Sequence, residues 1–143
     1  MTLDKTQLSF IASIKEKIRL AQYNALKSVN VHLINLYWDI GKDISDRQSE
    51  SWGKSIVPVL SKELQKEFPG INGFSVTNLW YMAQFYNEYH AVEFLQPLVG
   101  EISWTKHIAI MSKCKDNQER RFYIMSTKKF GWSKNILINQ IGN

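Results

Sequence analysis

The chain has 143 residues, of which 44% are hydrophobic and 22% charged, with five Trp and a net charge of +5. That length fits one domain with a sizeable core, and the composition is that of an ordinary globular protein. The single cysteine, Cys114, excludes an internal disulfide and a zinc cluster and fits a reducing cytoplasm. No apolar run approaches the ~18 residues of a membrane span, and MTLDKTQLSF lacks the basic start and apolar run of a signal peptide.

From Gln7 to about Asn30, apolar residues recur at helical spacing: Ile11, Ile14, Ile18, Ala21, Ala25 and Val29. The segment VHLINLYWDIGKDI continues the pattern through Val31, Ile34, Tyr37 or Trp38, Gly41 and Ile44. The spacing predicts one long helix, or two meeting near Ser28–Asn30, closing in the polar tract SDRQSES. A further helix is expected from about Lys54 to Phe68, with Ser55 as its cap and Pro58 in its first turn. Pro69-Gly70 ends it, and Ser75 caps an aromatic helix running to about His90. AVEFLQPLVGE reads as a short helix or an extended connection. Three short helices close the chain, with Ser103 capping Trp104–Lys113, Asp116 capping Asn117–Phe130 and Ser133 capping Lys134 onward. No alternating run of Val, Ile and Thr argues for a sheet. The expected fold is a single all-α domain over residues 1–143, with a long N-terminal helix and a helix-turn-helix-like unit. KNILINQIGN reads as a helix start with little beyond it, the expected edge of one domain of a longer protein.

At 100° per residue the aromatic helix places Leu79, Met82, Ala83, Tyr86 and Tyr89 on a core face. Thr77, Tyr81, Gln84 and Glu88 lie opposite, with Trp80 and Asn87 at the edge. Thr77, Asn78, Tyr81 and Gln84 are the candidates for reading DNA bases. No positive charge on this helix would draw it to phosphates, so the competing expectation is a helix packed within its own domain. Trp80 and Tyr81 then become candidates for a partner interface.

No catalytic set is found. No Asp or Glu has Lys two places after it, as the acid-x-Lys pair of a metal-dependent nuclease requires. His32, His90 and His107 match no zinc spacing, so no metal or other cofactor is expected in this chain. His90 is expected at a helix end, His107 facing solvent beside Lys106, and Cys114 as an inert thiol. No nucleophile elbow, phosphate-cradling glycine loop or dinucleotide fingerprint is present.

Charge is distributed unevenly. Residues 76–103 carry −3, whereas residues 104–143 hold eight Lys or Arg against Asp116 and Glu119. Lys106, Arg120, Arg121, Lys128, Lys129 and Lys134 are therefore the candidate phosphate contacts, with Trp132 placed to stack on a base. The alternative is that Trp132 is core and the lysines are merely solvated.

Four runs in order, LYWDIGKDI, SWGKSIVPVLSKELQKEFPGINGFSVTNLWYMAQFY, ISWTKHIAIM and RRFYIMSTKKFGWSKNILINQI, resemble the N-terminal domain of the YhcG-like proteins. The resemblance covers most of the chain. It implies a bacterial protein in which a C-terminal PD-(D/E)XK nuclease-like domain follows, so that the catalytic acids and their Mg²⁺ lie outside this chain. It further implies a DNA-binding or targeting role of helix-turn-helix type, with DNA as partner. Relatives usually carry a basic residue at the positions of Thr77 and often Ala83, and a polar helix former at that of Pro58. This chain departs from them at all three. The second expectation is a protein-interaction or dimerisation module, with a homodimer as its simplest form.

Overall fold

The computed structural model describes residues 2–142; Met1 and Asn143 lie outside the described residues. Asp4 opens the first helix with a capping box. Its carboxylate accepts from the Gln7 amide at 2.8 Å, and the Gln7 side chain accepts from the Asp4 amide at 3.0 Å. Helix α1 then runs without interruption from Lys5 to Asp46, a length of about 63 Å. Of the two readings for this segment, one long helix is the outcome. No Gly or Pro precedes Gly41, and the Asn30 side chain does not compete for its own backbone. It donates instead to the carbonyls of Gly100 at 3.2 Å and Ile102 at 2.8 Å.

Helix α2 spans Ile56–Glu67. Ser55 does not cap it, because its backbone is already helical and its hydroxyl donates back to the Trp52 carbonyl. Pro58 stands in the first turn, where its missing N–H costs nothing. Ser61 is buried and donates to the Phe74 carbonyl at 2.7 Å, tying α2 to the loop that leads into α3.

Helix α3, Val76–Tyr89, starts as expected, with the Ser75 hydroxyl accepting from the Asn78 amide. It lies along the C-terminal half of α1, and Gly41 permits the approach. A Cβ at that position would run into the backbone carbonyl of Met82. Leu79, Met82, Phe85 and Tyr89 are fully buried. Phe85, rather than the expected Tyr86, belongs to the core because α3 is covered on two sides. Its ring meets Trp38 of α1 at 5.4 Å, and Trp104 and His107 from the other side at 5.2 and 5.1 Å. Tyr86 is left half-buried, stacked on His90, which ends the helix as expected.

A 3-10 helix, Gln96–Glu101, leads to α4 (Trp104–Lys113), α5 (Asn117–Phe130) and α6 (Lys134–Ile141). Asp116 and Ser133 cap α5 and α6, whereas the Ser103 side chain makes no capping bond. Gly131 ends α5 at φ +61°, a left-handed conformation that glycine adopts without strain. The described residues contain no strand, and the fold is all-α. Its body borders α1 from Tyr23 onward, where Tyr23, Leu26 and Lys27 share a cleft with Glu101, Lys106 and Lys128. The part of α1 before Tyr23 projects from it.

Candidate functional site

The outer face of α3 is occupied by structural work. Asn78 donates to the Gly73 carbonyl at 2.6 Å and accepts from the Trp104 indole at 2.8 Å, which locks the entry loop to α4. Both ends of this amide are engaged, so Asn78 is not available to a base edge. Trp80 and Tyr81 are half-buried against the core, which corrects the expectation of an exposed aromatic patch on this helix. Thr77 is exposed and Gln84 half-buried. The shallow groove in front of them is lined by Thr77, Asn78, Tyr81, Thr105 and Ile108 among others, with no Lys or Arg.

The late cations divide between the two ends of α5. At its start, Arg120 is 3% exposed and ion-paired with Glu88 of α3. It also donates to the Cys114 carbonyl at 2.9 Å and lies over the Tyr89 ring. Arg120 is thus a core residue rather than a phosphate contact, because a guanidinium so enclosed keeps its paired carboxylate. Arg121 is exposed and covers the Phe94 ring. At the other end, Lys128 and Lys27 both reach Glu101, at 3.2 and 3.5 Å. Lys106 lines the same cleft. Lys129 lies over Phe130, which stacks on half-buried Trp132 at 5.7 Å. Lys134 opens α6 beyond the Gly131 turn. Five cations, Lys27, Lys106, Lys128, Lys129 and Lys134, therefore surround one turn.

His107 is fully buried, which corrects the expectation that it faces solvent. Its Nε2–H donates to the Val99 carbonyl at 2.6 Å, and burial pulls its pKa down to about 4. Cys114 is buried, and burial raises its thiol above the ordinary value. Among the described residues no group of three or more His, Cys, Asp or Glu is placed to hold a metal ion. Among the described residues no helix is long and apolar enough to cross a membrane.

The first half of α1 carries a series of exposed apolar side chains. Phe10, Ile18, Leu20, Tyr23, Leu26 and Val29 are exposed, up to 71% at Leu26, whereas Ile34 five residues beyond Val29 is at 0%. Around the helix axis, the stripe Ile11–Ile14–Ile18–Ala21–Ala25–Val29 stands about a third of a turn from the face that holds Asn30, Ile34, Tyr37, Gly41 and Ile44. Only the second face meets the body.

These features define an all-α domain whose buried polar groups are structural and whose distinguishing surface is a projecting apolar helix. The DUF1016 N-terminal domain family matches residues 13–143, and the chain belongs to that family, the N-terminal domain of the YhcG-like proteins. No curated protein and no solved structure matches it.

Proposed function

We propose that this chain is a non-catalytic assembly domain, in which the body from Asn30 onward holds out the first half of α1 as a docking element for a partner helix. The observation that carries this reading is the contrast within one helix: no side chain of α1 up to Val29 is buried, whereas Ile34, Tyr37 and Ile44 beyond it are. A contiguous apolar surface of this extent marks a place that another protein covers. Through such docking the domain would position a nuclease-like domain attached to it, in the cytoplasm, with Mg²⁺ and catalytic acids belonging to that other domain.

The test is a photo-crosslinking side chain placed in cells at Ile18, on the stripe, and at Glu16, away from it. Protein adducts from position 18 alone are expected. Adducts from neither position, or equally from both, would overturn the reading.

A second reading, DNA contact, is favoured by the five lysines around the Gly131 turn together with Trp132. It uses Lys106, Lys128, Lys129 and Lys134 and dispenses with Arg120 and Asn78. Duplex DNA binding should weaken linearly in log–log terms with added salt, and Lys128→Glu should flatten that slope. Binding indifferent to salt would remove this reading.

A further inference from the structure

The stripe on α1 does not stop at Val29. It continues through Leu33, Leu36 and Ile40, all at least partly exposed, so that from Ile14 onward the apolar positions are 14, 18, 21, 25, 29, 33, 36 and 40, with Ile11 beyond the matched span and opposite Asp43. The intervals are 4, 3, 4, 4, 4, 3, 4 and read the same in both directions. Their midpoint is residue 27.

An interval pattern of fours and threes can form the seam of a helix pair as well as a face on a core. A seam that is its own mirror image fits a copy of itself running the other way, which is what an isologous two-fold contact demands. We infer that the occupant of the stripe is the α1 helix of a second copy, laid antiparallel about a two-fold axis at residue 27; this deepens the assembly reading and rests on it.

The side chains agree with that register. Ile14 falls opposite Ile40, Ile18 opposite Leu36, Ala21 opposite Leu33 and Ala25 opposite Val29, so each small residue of the seam meets a larger one. A parallel pair would set Ala21 on Ala21 and Ala25 on Ala25, leaving a gap between flanking Ile18 and Val29. Charge agrees too. On the side of the seam away from the body, Lys17 of one copy comes alongside Asp39 of the other, twice by symmetry. Both are exposed, and neither makes an ion pair with another of the described residues of its own chain.

At the Ile40 end the stripe widens into an apolar groove of ≈ 360 Å³, where Leu33 and Leu36 face Leu64, Phe68 and Ile71. The second copy's Ile14 and Ile18 arrive at this groove. The half-exposed stripe offers roughly 600 Å² per chain, and about 1,200 Å² for the pair reaches the lower edge of stable interfaces. A reversible dimer is the consequence.

The experiment measures sedimentation mass against concentration for the full chain and for Lys17→Asp, Asp39→Lys and the double exchange. The expected result is a concentration-dependent dimer, weakened about tenfold by either single change and restored by both, since facing like charges repel and exchanged ones attract. Direction is read by disulfide trapping in a Cys114→Ala background. Mixed Ala21→Cys and Leu33→Cys chains should link to each other, and neither to itself, because like positions lie about 18 Å apart along the axis. Self-linking of Ala21→Cys, or no rescue by the double exchange, overturns the antiparallel register while leaving assembly standing. A monomer at every concentration overturns the second copy as occupant. Assembly itself then stands or falls by the crosslinks at residue 18, whose adduct mass would be other than twice that of the chain.

Discussion

One helix, two environments: the first half of α1 buries no side chain, although Tyr23, Leu26 and Lys27 border the body, whereas the second half is pressed so tightly on α3 that Gly41 leaves no room for a methyl group. The halves have similar apolar content and identical backbone geometry, so propensity does not distinguish them. What does is whether anything in the same chain stands opposite. Burial depends on a partner surface as much as on the hydrophobicity of the buried residue.

Substitutions that treat the halves alike should therefore give unlike results. Gly41→Val forces α1 and α3 apart at the Met82 carbonyl and should cost at least about 3 kcal/mol in a urea titration, with non-folding as the extreme. Its counterpart Ala25→Val, on the free half, should cost no more than about 0.5 kcal/mol. Ile34→Ala empties a filled site and should lower stability by about 3 kcal/mol, whereas Ile18→Ala in dilute solution should stay within about 0.5 kcal/mol. Equal losses at Ile34 and Ile18 would break the comparison.

The body alone should carry pH dependence. Folding holds His107 neutral, with a pKa of about 4 against its ordinary 6.5, so between those values the unfolded chain takes up the proton more readily. The stabilisation is complete above about pH 6.5 and declines as pH falls toward 4. Urea midpoints should correspond to about 2 kcal/mol less stability at pH 5 than at pH 7, a difference that His107→Phe abolishes. A loss of similar size is expected for Asn78→Ala, which frees the Trp104 indole and the Gly73 carbonyl and should cost about 1–2 kcal/mol. No change in the helicity of residues 5–29 should accompany it.

Much of the body was legible because its signals are local. The caps at Ser75, Asp116 and Ser133, the Pro69-Gly70 and Gly131 turns and the core positions Leu79, Met82, Ala83 and Tyr89 follow from spacing and side-chain chemistry alone. What escaped depends on contacts distant in sequence. Arg120 reads as a surface cation until Glu88, thirty-two residues earlier, is brought beside it. Asn78 and His107 read as free polar groups until Trp104 and Val99 claim them. Phe85 turned inward because α4 covers a side of α3 that periodicity assigns to solvent. The exposed stripe was visible as a stripe, but periodicity does not tell a core from a seam.

Glu101 has an effect on the basic turn that its modest geometry conceals. By reaching Lys27 and Lys128 at once, this carboxylate sits where a phosphate group would, a tethered counter-ion inside the cluster. If the turn takes a polyanion, the ligand would have to displace it, which would disfavour weakly charged visitors relative to those that bring several negative groups together. Glu101→Gln should abolish that competition and tighten any polyanion the turn accepts.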